Sequence, residues 1–209
     1  MLSATARTVI ATTLVALCGC GGPTRTLMPA RIDLQSFRKI GLVEFSSNGK
    51  GQLQKFASQD FIGAVQSSQP GVPVLELGGQ DQVLAAVGRN QVDADAIRAI
   101  GEKFDVDAVI VGNLEVTDVK PRVDIKQMFS SVAVQANVEA ALTTRLMDAG
   151  TGATVWTRSA RSTESLANAG VSPTDVHIGV SDAEATYGTL VQNLVQRVTQ
   201  DFRPYWVKN

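Results

Sequence analysis

The sequence predicts an α/β fold, a single domain of the three-layer type with a long β-hairpin and a C-terminal helix. Three observations support this class. Short apolar runs alternate with helical periodicity over residues 39–116, apolar and polar residues alternate over 132–146, and an apolar stripe at helical spacing runs through 182–202. An order of strand, helix, strand, helix, strand is typical of layered α/β domains.

The first half of the domain supplies the alternating elements. Strands are predicted over residues 39–45, 72–77 and 106–116, and helices over 53–67 and 93–104, with a helical turn around 83–87 between them. Pro73 has no amide hydrogen to donate to a neighbouring strand, which favours an edge position for the second strand. Asp93 is a suitable N-cap for the helix that follows it.

The second half contains the long hairpin and the C-terminal helix. The alternation over 132–146 predicts a half-buried strand that spans roughly 50 Å. A turn at 148–152 then returns the chain as a partner strand over 154–160. The segment 162–180 is polar and contains glycine, serine and asparagine, so we expect a loop there. The C-terminal helix is predicted over 182–202.

The N-terminus has the pattern of a secretory leader. Arg7 precedes an apolar segment of about ten residues, which is too short to span a bilayer. Leu17, Gly19 and Cys20 occupy the −3, −1 and +1 positions of a bacterial lipobox, which call for an aliphatic residue, a small residue and cysteine. The pattern predicts a lipoprotein signal peptide over residues 1–19 and lipidation of Cys20. The alternative is an ordinary signal peptide with an incidental cysteine.

The remaining chain divides into a linker and one domain. Residues 20–37 lack periodicity and contain glycine and proline, so we interpret them as the lipidated N-terminus and a short linker. The periplasmic domain is expected over 38–204. The two cysteines of the sequence, Cys18 and Cys20, both lie at the lipobox. We therefore expect no disulfide and no cysteine-based metal site, and we expect the N-terminal lipid to hold the domain at the membrane.

Charge and composition exclude some classes of partner. The chain has 19 basic and 20 acidic side chains, and removing residues 1–19, whose only charged side chain is Arg7, leaves 18 basic against 20 acidic. A slightly acidic domain lacks the basic surface that supplies most of the affinity for nucleic acid. Aromatic residues make up 5% of the chain, too few for base-stacking platforms. We expect no nucleic-acid partner.

Candidate catalytic and metal-binding residues are sparse. His177 is the only histidine; with Asp175 and a serine it allows a catalytic triad, but the sequence has no Gly-x-Ser-x-Gly motif. The segment 49–51 follows the first strand, where a phosphate loop would lie, yet it lacks the Gly-Lys-Ser/Thr ending. We interpret His177 as a solvated loop residue. The sequence predicts no enzymatic activity, no cofactor and no metal.

The segment before the long strand is the candidate binding surface, because apolar residues alternate with charged ones over 119–126. One interpretation is an exposed hairpin whose strand edge recruits a partner by pairing. The other is part of a membrane-inserting β-hairpin, whose strands need about 9–11 residues. The apolar stretch is short and the charges are dense, which favours the exposed hairpin. The predicted partner-binding residues are Val119, Val123, Ile125 and Phe129.

Three segments occur in a recognisable order behind the lipobox. They are 39–45, 106–114 and 142–156, of which the last ends a long strand in Arg145-Leu146-Met147-Asp148 and returns through a Thr-Gly turn to Trp156. Together they resemble the CsgG-like family of outer-membrane lipoproteins. That family includes the curli secretion channel subunit, and lipoprotein activators of penicillin-binding proteins are structurally similar to it.

The resemblance implies a function in the cell envelope. It implies an α/β domain on the periplasmic face of the outer membrane, held by the acylated Cys20 and acting through other envelope proteins, with homo-oligomers among the expected assemblies. Gly21 and Gly22 after Cys20 agree with sorting to the outer membrane. The alternative is a subunit of an oligomeric secretion channel for curli-like extracellular fibres. The polar segment 162–180 argues against this alternative, because it shows no alternation that would suit a second membrane hairpin.

Overall fold

A computed structural model of the protein describes residues 25–49, 52–124, 133–172, 175–176 and 183–208. These residues belong to two compact units. One contains residues 30–204, and the other is a terminal ribbon of residues 25–29 and 205–208.

The larger unit is built on one mixed sheet. The strands of both units are numbered in chain order: β1 (Arg25–Met28), β2 (Ile40–Glu44), β3 (Ser46–Ser47), β4 (Val74–Gly79), β5 (Ala108–Asp124), β6 (Ala133–Asp148), β7 (Thr154–Ser172), β8 (Asp175–Val176) and β9 (Tyr205–Lys208). The sheet order is β4-β2-β5-β6-β7-β8, with β3 beside β5. The strand β2 runs parallel to β4 and β5, whereas β5, β6 and β7 are antiparallel neighbours.

Helices cover both faces of the sheet, which confirms the predicted α/β class with three layers. They are α1 (Leu53–Ser68), α2 (Gln80–Ala86), α3 (Ala94–Phe104) and α4 (Ala183–Val198). Successive residues of a strand point to opposite faces. Accordingly, Leu42 and Ile110 lie in the core beneath α1 and α4, whereas Val43 and Val109 lie in the core beneath α2 and α3.

Local signals place two of these elements as the sequence predicts. The side chain of Asp93 accepts a hydrogen bond of 2.8 Å from the amide of Ala96 and so caps α3. The strand β4 follows Pro73 directly and occupies the edge of the sheet. Pro73 itself still contributes as an acceptor, since its carbonyl oxygen receives the amide of Ile40 at 3.0 Å.

The prediction of a loop over 162–180 is wrong for the first half of that segment. The strand β7 continues to Ser172 and pairs with β6, with Ser162 opposite Ala140 and Glu164 opposite Val138. The segment has no apolar alternation of its own, and its pairing with β6 sets its register. Ser162 is buried, and the carboxylate of Glu164 accepts a hydrogen bond from Asn193 of α4 at 2.9 Å. His177 lies outside the described residues.

Residues 20–37, expected to be a linker, contain packed structure in their described part. Leu34 is fully buried in the core beneath α1 and α4. The buried side chain of Gln69 accepts the amide of Leu34 at 2.8 Å and donates to the carbonyls of Ile32 at 2.7 Å and Phe202 at 3.1 Å. The folded unit therefore begins before residue 38.

The predicted C-terminal helix is confirmed, and its last turn is a 3₁₀ helix. After α4, residues Thr199–Phe202 form a 3₁₀ helix that places the ring of Phe202 in the core, 4.7 Å from the ring of Trp156. The sequence did not predict the ribbon, in which β1 and β9 pair antiparallel. Of the helices in the described residues, none is both long and apolar enough to cross a membrane.

Candidate interaction site

The strands β5, β6 and β7 extend far beyond the parallel part of the sheet. The strand β5 pairs with β2 over residues 108–110 and with β3 over 113–114, but it stays paired with β6 as far as Asp124. Residues 115–124 alone span roughly 33 Å as a strand. We call the three-stranded extension formed by residues 115–124, 133–141 and 161–172 the arm.

The outer edge of β5 in the arm has no partner strand among the described residues. Where β3 ends, the side chain of Asn48 takes its place: the amide nitrogen Nδ2 donates to the carbonyl of Val116 at 3.3 Å, and Oδ1 accepts the amide of Val116 at 2.7 Å. From Thr117 onward the described part of this edge is unpaired. An unpaired edge offers backbone donors and acceptors to a strand of another protein.

One face of the sheet is exposed and hydrophilic where the arm begins. The cross-strand rows on this face are Asn113–Thr143–Ser159, Glu115–Ala141–Arg161 and Thr117–Glu139–Thr163. The hydroxyls of Thr143 and Ser159 lie 2.8 Å apart. Glu115 and Arg161 belong to the second row, and Glu139 belongs to the third. A lipid-facing strand needs an apolar band. The base of the arm therefore suits contact with water or protein on this face.

The predicted binding residues are partly placed by the structure. The backbone of Val119 and of Val123 lies in β5 within the arm, as both interpretations of this segment expect. Ile125, Phe129 and the lipidation candidate Cys20 lie outside the described residues. Their roles stay predictions.

Sequence reasoning missed two features of this site: the Asn48 contact and the second half of β7. Asn48 lies in a Ser/Asn/Gly loop, where its composition indicates only a turn. The hydrophilic face agrees with the predicted half-buried strand, in which Thr143 and Arg145 alternate with the buried Thr144 and Leu146. The second half of β7 has no comparable signal.

A polar cleft lies at the carboxyl ends of the parallel strands. In the order β4-β2-β5 the chain reverses its winding between β2 and β5, which is where α/β sheets bind ligands. The cleft has a volume of about 540 Å³ and its lining includes Ser46, Gln80, Asn90, Asn113, Glu115 and Arg145. Asn113 donates to Glu115 at 3.0 Å and accepts the hydroxyl of Ser46 at 3.0 Å.

The lining of this cleft is rich in hydrogen-bonding side chains. Its lining residues include neither histidine nor cysteine. In the part of the chain that the structure describes, there is also no group of three or more His, Cys, Asp or Glu side chains that could hold a metal ion. The amide, hydroxyl and charged side chains are able to hold a small polar ligand by hydrogen bonds.

Taken together, the fold and the arm define an α/β sheet domain with a projecting antiparallel arm. No family model and no curated protein matches the sequence. Among solved structures, a PelC dodecamer from Paraburkholderia phytofirmans is 16% identical, with a TM-score of 0.43 over 87% of this chain and 96% of that chain. Lipoprotein GNA1162 from Neisseria meningitidis is 19% identical, with a TM-score of 0.38 over 77% of this chain and 97% of that chain.

A third similar structure is the C-terminal domain of LpoB from Salmonella enterica. It is 13% identical, with a TM-score of 0.37 over 59% of this chain and 81% of that chain. The similar structures thus include bacterial lipoproteins. None of the three described here carries the name of the CsgG-like family, so that resemblance stays a prediction from the sequence.

Proposed function

We propose that this protein is a non-enzymatic component of the bacterial cell envelope that binds other envelope proteins through the arm. A lipid on Cys20 holds it at the periplasmic face of the outer membrane. The observation that carries this proposal is the unpaired edge of β5 beyond Val116, on a strand that continues to Asp124. The lipobox at Leu17 to Cys20 supports the location.

The architecture of the arm supports binding by strand pairing. Its three strands brace one another by cross-strand pairing, with register shifts between Thr117 and Lys120 and between Val134 and Ala136, so the edge is presented on a scaffold rather than on a loop. The Asn48 side chain ends the contact with β3 at Val116 and leaves the following residues available. Main-chain bonds along such an edge supply affinity, and side chains on alternate positions supply specificity.

Deleting residues 119–131 tests the proposal in the full lipidated chain. The deletion removes the far part of the β5–β6 hairpin and keeps the pairs of β5 with β2, β3 and the inner part of β6. We expect in-cell crosslinking followed by mass spectrometry to lose the envelope partner, while urea unfolding still shows a cooperative transition. A Gln80→Ala, Asn90→Ala double variant in the polar cleft is the matched control and should retain the partner. Intact capture by the deletion variant would refute the proposal.

A second candidate is a subunit of an oligomeric secretion channel. The observation that favours it is the pairing of β7 with β8, with Val171 opposite Val176 and Ser172 opposite Asp175. The segment expected to be a loop therefore supplies a second hairpin beside the first. Detergent-resistant oligomers and ion conductance in planar bilayers would support the channel. A non-conducting protein that still captures its partner would support the binding role.

A further inference from the structure

The terminal ribbon presents an amphipathic face of unusual chemistry. In its register Arg25 lies opposite Lys208, and Leu27 lies opposite Trp206. Residues directly opposite each other in an antiparallel pair, and residues two apart on one strand, point to the same side. One face therefore carries an apolar pair, Leu27 and Trp206, flanked by the two basic residues. We call these four residues the ribbon face.

The apolar pair of the ribbon face is exposed. Trp206 is 63% and Leu27 is 52% exposed. Across the described residues, seven large hydrophobic side chains are exposed, and four of them lie in this short ribbon. Leu27 and Trp206 belong to the ribbon face, and Met28 and Val207 lie on its other side. A two-stranded ribbon is marginally stable in water by itself, and a concentration of exposed apolar side chains indicates a contact surface.

The position of the ribbon in the chain indicates what covers this face. Arg25 is five residues after Cys20, a separation that extended chain can bridge over at most about 18 Å. If Cys20 carries the lipid that we propose, the ribbon stays within reach of the bilayer surface. Tryptophan favours the boundary between headgroups and acyl chains, and arginine and lysine near a membrane are attracted to anionic headgroups.

We propose that the ribbon face lies on the anionic phospholipid surface. The side chains of Trp206 and Leu27 enter the boundary between headgroups and acyl chains, and Arg25 and Lys208 contact lipid phosphates. The inference rests on the proposed lipid on Cys20 for its proximity to the membrane. It adds a second attachment that fixes the direction in which the chain leaves the bilayer.

Tryptophan fluorescence tests this contact in the full-length lipidated protein. The probe is a vesicle of phosphatidylethanolamine and phosphatidylglycerol whose acyl chains are brominated. The other tryptophan, Trp156, is 7% exposed and donates to Asp201 at 3.1 Å, so brominated lipid should not reach it. We expect the wild-type protein to lose most of its Trp206 emission and to shift to shorter wavelength on these vesicles. A Trp206→Phe variant, which retains Trp156, should show neither change.

A charge variant tests the basic flanks in the absence of the lipid. In a full-length Cys20→Ala background, replacing Arg25 and Lys208 by glutamine should lower co-sedimentation with unbrominated vesicles of the same lipids on the order of 25-fold, because each basic side chain contributes roughly fivefold near an anionic surface. The glutamine variants keep the apolar pair, so the loss reports charge alone. If the Cys20→Ala protein bound these vesicles equally well with and without the two glutamine substitutions, the role of Arg25 and Lys208 would be overturned.

The outcomes separate the ribbon contact from the proposed anchor. Acyl mass on Cys20 with Trp206 emission that is identical on brominated and unbrominated vesicles would overturn the ribbon contact and leave the anchor standing. Absence of acyl mass with vesicle binding by the ribbon would refute the anchor instead. A shift of Trp206 emission that depends on protein concentration without vesicles would assign the face to a second copy and overturn the proposal.

Discussion

Replacing Asp201 by alanine is expected to lower the free energy of unfolding by about 3 kcal/mol, since the partners of a buried carboxylate lose their bonds together. The side chain is 13% exposed and its Oδ2 accepts Arg158 at 2.7 Å and the indole nitrogen of Trp156 at 3.1 Å. Its Oδ1 pairs with Arg31 at 3.4 Å. The variant leaves these three donors without their shared acceptor.

The pH dependence of this loss has a definite sign. Burial alone raises the pKa of Asp201, but the bonds from Arg158 and Trp156 and the charges of Arg158 and Arg31 outweigh it and hold the pKa below its ordinary value of 3.8. A carboxyl whose folded pKa is lowered stabilises the protein above its unfolded pKa and loses that contribution as the pH falls through the folded pKa. The difference in free energy of unfolding between the wild type and Asp201→Ala should therefore be greatest at pH 5 to 7 and decrease below about pH 4.

Urea unfolding across this pH range measures the effect. The matched control is Asp95→Ala, which removes a carboxylate that is 52% exposed and paired with Arg89 and Arg98. Exposed pairs contribute about 0–1 kcal/mol, so the control should stay close to wild type. An Asp201→Ala variant as stable as the control at neutral pH would contradict the assigned network.

Replacing Gly152 by alanine is expected to lower the free energy of unfolding by about 3 kcal/mol, because the strain of a left-handed backbone and a steric clash of the new Cβ atom add. Gly152 ends the turn between β6 and β7 with a φ of +74°, in the left-handed region. A Cβ atom at this position would lie 2.5 Å from the carbonyl oxygen of Ala94 and 2.8 Å from its Cα, at the start of α3. Backbone cannot move aside as a flexible side chain can. The turn and α3 would have to separate.

A second glycine gives the opposite result and serves as the control. Gly63 lies within α1, and a Cβ there would meet no atom within 4 Å. Gly63→Ala should therefore raise the free energy of unfolding by about 0.5–1 kcal/mol through higher helix propensity. Urea unfolding of both variants measures the pair. If Gly152→Ala were neutral, the close packing of the turn on α3 would be wrong.

The parts of the fold that the sequence predicted are those whose pattern is set by their own burial. The strand β6 alternates because one of its faces packs under α1 and α4 and the other carries polar side chains, and α3 begins at a capping aspartate. Such signals depend on neighbouring residues alone. They were sufficient for the layer order and for the C-terminal helix.

The parts that the sequence missed depend on distant partners. The second half of β7 is polar and small, so only its pairing with β6 makes it a strand. The strands β1 and β9 have four residues each and come from segments about 180 residues apart, so neither shows periodicity by itself. Leu34 is buried in the core beneath α1 and α4, and its amide donates to the side chain of Gln69, a contact that no local pattern indicates.

The same distinction applies to the candidate site. Alternation over 119–126 correctly predicts the backbone of Val119 and Val123 as part of an extended hairpin. The exposed edge of this hairpin begins after Val116, where the side chain of Asn48, 68 residues earlier in the sequence, makes the last hydrogen bonds to the backbone of β5. A single sequence contains no signal for that pairing.

Site-specific photo-crosslinking in cells tests the central claim most directly. A photoreactive residue is placed at Thr117, the first exposed position of the β5 edge beyond the Asn48 contact, in the full lipidated chain. The same residue at Glu102, exposed on α3, is the control. We expect a discrete crosslinked envelope protein from Thr117 and none from Glu102. No product at Thr117, or the same product from both positions, would contradict it.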